Sequence, residues 1–221
     1  MNRLVLVRHG GSTATEDPAF YAYDDSAICL TTNGIRQALS TAGVVVEIEP
    51  RWAKPGNFAL EVFVSQYART QQTARIMLDE MGLRSMAPKI RPLINERDYG
   101  VVYDPRMDQQ ADFDGNGCES GRRARARVRG FLDEIADLMD RADVLAFSHF
   151  GAIRALIANL LDLSDEAMMQ LPVPNGGAFL FQRSFDGEGR PVFRQAPLPE
   201  HVLAKTASLI TPPPASRRRA H

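Results

Sequence analysis

The chain of 221 residues is poor in cysteine, nearly without net charge, and lacks any long apolar run. Its two cysteines, Cys29 and Cys118, lie far apart and form no CxxC pair. That argues against a disulfide framework or a cysteine-based zinc site and fits a reducing cytoplasm. With 26 basic and 27 acidic side chains the formal charge is −1, so no global field draws nucleic acid or a membrane surface. Any anion must be held by a local cluster. No stretch reaches the ~18 apolar residues that cross a bilayer. The apolar run near the amino end is too short for a signal peptide and ends in charge. Internal repeats are absent. What remains is an ordinary globular mix, 44% hydrophobic and 24% charged, long enough to bury a sizeable core.

Short apolar runs predict strands at residues 4–7, 60–65, 89–94 and 143–148. Thr31-Thr32-Asn33 opens a helix whose apolar face is read at Ile35, Ala38, Leu39 and Ala42. A second helix spans 67–81 and is closed by Gly82. A third carries Val128, Phe131, Leu132, Ile135 and Leu138 as its stripe. A fourth, 152–161, is apolar nearly all round and therefore buried. Residues 178–182 and 192–195 flank Asp186-Gly187-Glu188-Gly189 and read as a hairpin or edge pair. Loops are expected at 11–30, 50–57 and 101–118. Strands alternating with helices give an α/β fold: a three-layer sandwich, mostly parallel, with helices on both faces and an antiparallel edge hairpin. The arginines at 122, 123, 125, 127 and 129 are expected to form a solvated helix face, with Arg123 and Arg127 pointing out. The tail from Thr211, with three prolines and Arg217-Arg218-Arg219, is expected to be disordered.

Charged and titratable residues gather where these strands stop. Arg8 and His9 follow the first strand, Arg69 the second, Glu96 the third and His149 the fourth. If the strands are parallel, all four loops open on one rim, where ligands of such sheets sit. Phosphoryl transfer needs donors for the equatorial oxygens, an in-line nucleophile and a proton donor for the leaving oxygen. Arg8, Arg69 and His149 suit the first role, His9 the second and Glu96 the third. Amide groups at the start of the helix from Ala152 are expected to point at the same anion.

These residues lie in motifs that resemble the histidine phosphatase superfamily, the phosphoglycerate-mutase-like branch. Arg8-His9-Gly10-Gly11-Ser12 is similar to its RHGxS signature. Leu30-Thr31-Thr32-Asn33-Gly34 with Gln37-Ala38 resembles LTxxGxxQA, and residues 65–74 resemble SPxxRTxxTA. Asn95-Glu96-Arg97-Asp98-Tyr99-Gly100 resembles NERxYG. Glu119-Ser120 with Arg127-Val128 is similar to GES…RV, Ser148-His149-Phe150-Gly151 to SHGG, and Pro174-Asn175-Gly176 to the late PNG turn. The matches keep family order from residue 4 to about 182. The resemblance implies one domain over residues 1–210, with 211–221 outside it. It implies that His9 becomes phosphohistidine and is then hydrolysed. Glu96 is then proton donor and afterwards base, Arg8, Arg69 and His149 form the phosphate pocket, and no metal or other cofactor takes part.

The sequence departs from the family pattern at four places. Thr15 stands where Asn is common, and its hydroxyl with that of Ser12 is still expected near phosphate. Gln66 replaces a proline. Phe150 replaces the first glycine of HGG and adds bulk beside the phosphate. The helix after Ser120 begins with arginines rather than an acid. The function implied is a metal-independent phosphomonoesterase acting on a small phosphorylated metabolite. Two alternatives stand beside it: a phosphoglycerate mutase, which returns the phosphoryl group to its product, and an inactive module that binds phospho-ligands. The expected partner is a small phosphorylated substrate, with neither nucleic acid nor membrane, and nothing in the sequence opposes a homodimer. Specificity is expected in residues 13–28 and 101–118.

Overall fold

The computed structural model describes residues 2–16, 25–53, 59–100, 103–188 and 191–196. The expectations for the tail, for the middle of the 11–30 loop and for Gly189 lie outside those residues. Six strands form one sheet in the order β3-β2-β4-β1-β5-β6. They are β1 (Arg3–Arg8), β2 (Leu60–Val64), β3 (Lys89–Ile90), β4 (Asp143–Ser148), β5 (Ala178–Phe185) and β6 (Pro191–Gln195). β1, β2, β3 and β4 run parallel, whereas β5 pairs antiparallel with β1 and β6 antiparallel with β5. The expected mixed sheet with an antiparallel edge is the one observed.

Both faces of the sheet are covered, which is why its central strands read as unbroken apolar runs. Leu4 and Leu6 of β1 point into one core cluster, with Val144 and Ala146 of β4. Val5 and Val7 point into the other, with Leu145 and Phe147. The first layer comprises α4 (Gly121–Ala136), α5 (Phe150–Leu160) and the short α6 (Asp165–Gln170). The second comprises α2 (Thr32–Ile48) and α3 (Ala68–Glu80). A four-residue helix, α1 (Thr13–Glu16), lies inside the segment read as loop.

Three readings are corrected. On α2 the buried stripe is Gly34, Gln37, Ala38, Thr41, Ala42, Val44 and Val45, while Ile35 and Leu39 are each 41% exposed. The helix is turned so that Gly34 meets the loop after β1; a Cβ there would lie 1.9 Å from the Gly11 carbonyl oxygen. The third strand is only two residues long. The Arg91 amide still donates to the Val64 carbonyl (2.8 Å), but Pro92 has no amide to continue the ladder and opens a 3-10 turn, Pro92–Ile94. On α4, Arg123 is exposed but Arg127 is not turned outward. It donates to the carbonyls of Leu93 (2.8 Å) and Asn95 (3.2 Å) and makes a two-pronged ion pair with Glu119.

Candidate active site

The register of β1 and β4 pairs Arg8 with Ser148, so the residues that follow, His9 and His149, emerge side by side at the carboxyl end of the sheet. The His9 amide extends the ladder by donating to the Ser148 carbonyl at 3.1 Å. The two imidazoles are both buried, with ring centroids 5.1 Å apart at 63°. Arg69 enters from the first turn of α3, fully buried, and its Nε points at His9 Nε2 from 3.3 Å.

The loop carrying His9 is held from three sides. Gly10 packs backbone against backbone on Gly34, where a Cβ would come within 2.2 Å of the Gly34 carbonyl oxygen. The Gly11 amide donates to Gln37 Oε1 (2.7 Å) and the Gly11 carbonyl accepts from the Thr31 amide (2.9 Å). Thr73 Oγ1 accepts from the Gly10 amide (3.2 Å), and the Gly176 amide donates to the His9 carbonyl (3.0 Å). The separate sequence motifs therefore form one seat. Gln37, Thr73 and Ser65 lie in the quoted motifs but carry no assigned role in the sequence reading. The available signal was polarity on a buried stripe, as at Gln37 and Thr41 one turn apart on α2.

The tautomer of His9 follows from its partner. Nδ1 lies 2.7 Å from the Gly10 carbonyl, which can only accept, so Nδ1 carries the hydrogen and Nε2 the lone pair. Burial, then the charges of Arg69 and Arg8, hold the His9 pKa well below the ordinary imidazole value. The same causes, burial first, lower that of His149. His149 Nε2 is 2.7 Å from Ser65 Oγ, which in turn contacts Thr70 Oγ1 at 2.7 Å; its Nδ1 is buried without a protein partner.

Glu96 is buried and fixed by main chain. Its Oε1 accepts from the amides of Arg97 (2.9 Å), Gly151 (2.9 Å) and Ala152 (3.3 Å). The first amides of α5 were expected to face the substrate anion; two of them hold this carboxyl group instead. Gly151 is required there, since a Cβ would lie 2.8 Å from Glu96 Oε1 and 2.9 Å from the Arg97 side chain. Position 150 carries no such restriction, so Phe150 fits. Sequence alone left the charge of Glu96 open between burial and nearby arginines. Burial wins and raises its pKa, against the Arg97 amide and the charges of Arg69, Arg8 and Arg97.

Among the described residues, two cavities reach Glu96. The larger, about 480 Å³, is lined by Tyr67, Asn95, Asp98, Glu119 and Arg127 among others and includes none of Arg8, His9, Arg69 and His149. The smaller, about 250 Å³, joins Glu96 to Arg8, Thr15, Phe150, Tyr99, Tyr103 and Asp108. Arg8 donates to the Val173 carbonyl at 2.5 Å and lies 5.0 Å from the Phe150 ring centroid; Arg154 lies 3.9 Å from the same ring. Thr15 therefore lines the cleft. Ser12 does not: it is buried at the start of α1, with its Oγ 3.0 Å from Thr15 Oγ1.

An imidazole lone pair beside a guanidinium, a second imidazole and a carboxyl group whose pKa burial raises stand together at the carboxyl end of the α/β sheet, an arrangement suited to an anion. The family model of the histidine phosphatase superfamily (branch 1) matches residues 4–190, and the chain belongs to that superfamily. A 2,3-bisphosphoglycerate-dependent phosphoglycerate mutase from Azorhizobium caulinodans is 29% identical, over 83% of this chain and 93% of its own. The adenosylcobalamin/alpha-ribazole phosphatase of Escherichia coli is 27% identical, over 79% and 86%. A mycobacterial glucosyl-3-phosphoglycerate phosphatase shares the fold, with a TM-score of 0.68 at 22% identity over 88% of this chain and 97% of that one. No helix among the described residues is long and apolar enough to cross a membrane.

Proposed function

We propose that the protein is a metal-independent phosphomonoesterase working through phosphohistidine at His9. The observation that carries this reading is the fixed tautomer. With Nδ1–H tied to Gly10, the Nε2 lone pair stands beside Arg69, where the arginine can also hold a phosphoryl oxygen. In the first step Nε2 attacks phosphorus and the ester oxygen leaves with the proton of Glu96. In the second, water attacks phosphohistidine and gives a proton to the Glu96 carboxylate, while His9 is released. Arg8, Arg69 and His149 bind the equatorial oxygens, the positive side chains doing what a metal ion does elsewhere. His149 can donate from Nδ1 when Ser65 donates to Nε2.

The pKa directions set the pH dependence. His9 must be neutral and its pKa is lowered, so activity is lost only well below the ordinary imidazole range. Glu96 must be protonated and its pKa is raised, so activity falls as pH climbs through that raised value. Activity is therefore bounded below by the lowered His9 value and above by the raised Glu96 value. Release of p-nitrophenol from p-nitrophenyl phosphate in EDTA tests the reading, and no release by folded protein overturns it. A mutase is the second reading, favoured by relatives such as the Azorhizobium enzyme, of which this chain covers 93%. Its signature is isomerisation of phosphoglycerate stimulated by the bisphosphate.

A further inference from the structure

We infer that Ser65 is a positioning residue for the phosphate pocket: its hydroxyl donates to His149 Nε2, Thr70 donates to Ser65 in turn, and neutral His149 is thereby held with Nδ1–H for the anion. This deepens the phosphatase reading above, on which it rests. Ser65 follows β2, and its amide donates to the Phe147 carbonyl (3.2 Å), which sets it beside His149 at the end of β4. Both side chains are buried. Ser65 Oγ lies 2.7 Å from His149 Nε2, 2.7 Å from Thr70 Oγ1 and 3.2 Å from the Tyr67 amide, which donates to it.

A hydroxyl has a single hydrogen to give. That of Ser65 can go to His149 or to Thr70, and that of Thr70 to Ser65 or to the Tyr67 carbonyl, 2.7 Å away. Two consistent arrangements follow. In the outward one His149 Nε2–H donates to Ser65, Ser65 to Thr70 and Thr70 to the carbonyl, and Nδ1 is left as a lone pair. In the inward one Thr70 donates to Ser65 and Ser65 to Nε2, and Nδ1 carries the hydrogen. The anion selects between them. Nδ1 is buried with no hydrogen-bond partner among the described residues, and the oxygens of a phosphate dianion can only accept. A lone pair there repels them; an N–H binds them. The inward arrangement strands nothing, because the Tyr67 carbonyl keeps the amides of Thr70 (3.1 Å) and Gln71 (3.2 Å). A doubly protonated ring would also donate, but burial opposes it, as do Arg69, His9, Arg8 and Arg127 around it. Both rings then carry hydrogen on Nδ1. His9 offers its lone pair to phosphorus, and His149 its hydrogen to an oxygen. The difference lies in what holds each ring: a carbonyl that accepts behind His9, a hydroxyl that donates behind His149.

Nitrogen NMR of protein labelled in its histidine rings and saturated with inorganic phosphate tests this, since each ring nitrogen shows whether it bears hydrogen. His149 should show Nδ1 protonated and Nε2 bare. Hydrogen on Nε2, with Nδ1 bare or protonated, overturns the inference. Ser65→Ala should raise the Ki of inorganic phosphate against p-nitrophenyl phosphate at least about tenfold, as loss of a hydrogen bond to a charged group does. The His9 signals should stay where they are. A Ki within about twofold of wild type overturns the inference, and so does a rise in Ki that moves both rings, the mark of a packing defect. If Ser65→Ala does not fold, the wild-type spectrum decides alone. Protein that turns over p-nitrophenyl phosphate but holds hydrogen on His149 Nε2 defeats this inference only. Protein that neither turns it over nor shifts a histidine signal with phosphate defeats the phosphatase reading and this inference with it.

Discussion

β1 carries an arginine at each end, and the two ends of the sheet treat them differently. At the amino end, Arg3 pairs with Glu49 at 2.6 Å and its amide donates to Asp143 Oδ1 at 2.8 Å. Arg51 bridges Glu49 (2.7 Å) and Asp143 (3.1 Å), and Trp52 Nε1 donates to Asp143 Oδ2 (2.9 Å). Two cations and two carboxylates balance there. Burial would raise the pKa of Glu49, yet the Arg51 hydrogen bonds and the charge of Arg3 bring it below its ordinary value. At the carboxyl end, Arg8 and Arg69 surround two imidazoles kept neutral by burial and one carboxyl group pushed toward its neutral form. A compensated cluster stabilises a fold; an electropositive one is suited to an anion.

This contrast can be broken by substitution. His9→Ala should remove turnover by at least about 10³-fold, as loss of a nucleophile does, while the far-UV spectrum is kept. Residual activity within tenfold of wild type ends the nucleophile assignment. Asp143→Ala should do the opposite. It takes the acceptor from the Trp52 N–H and the Arg3 amide and one of two partners from Arg51, at a cost of about 3 kcal/mol in unfolding free energy, with kcat unchanged in the remaining folded protein. Denaturant melts and steady-state assays separate the two, and a variant that loses kcat but not stability reverses the division of labour.

Smaller effects sharpen it. Glu96→Gln should slow alkyl phosphates about tenfold more than p-nitrophenyl phosphate, whose leaving group hardly needs a proton. Equal losses would remove Glu96 from that role. The two ends should also fail in different acid windows. His9 and His149 have folded pKa values below the unfolded 6.5, so their contribution is whole above pH 6.5 and is lost as pH falls beneath it. Glu49 is depressed from 4.5, so its contribution is lost only below that value. Glu96, being raised, works the other way and offsets part of the loss between its folded value and 4.5. Tm should therefore start to fall below pH 6.5, by at most about 5 °C per unit for each histidine. His9→Asn should flatten that slope, and an unaltered slope would mean His9 is not held neutral by the fold.

Much of this was legible in the sequence where one force decided the outcome. β4 needed only apolar burial, and its observed limits are those of the run 143–148. The gathering of Arg8, His9, Arg69, Glu96 and His149 followed from strands that stop at one edge. What was hidden depended on main chain or on competition. Ile35 and Leu39 looked like a buried face until two glycines in contact set the rotation of α2. The run 89–94 looked like one strand, but Pro92 ended it. Arg127 reads as solvated in a run of arginines, yet carbonyls freed at the Pro92 turn draw it in. The α5 amides could have faced either anion, and proximity to Glu96 decided which. α6 was not expected at all; its six residues, two of them acidic and capped by Ser164, give too little periodicity to read.

The touching glycines 10 and 34 have a mechanical consequence. Where two backbones meet with no side chain between them, nothing can swivel, compress or swap rotamers to absorb a shift. The His9 imidazole sits on a stiff foundation, while Tyr99, Tyr103 and Asp108 stand on irregular turns that tolerate change. The first can hold its aim as the second is remodelled, which makes this scaffold well suited to acquiring new substrates without rebuilding its chemistry.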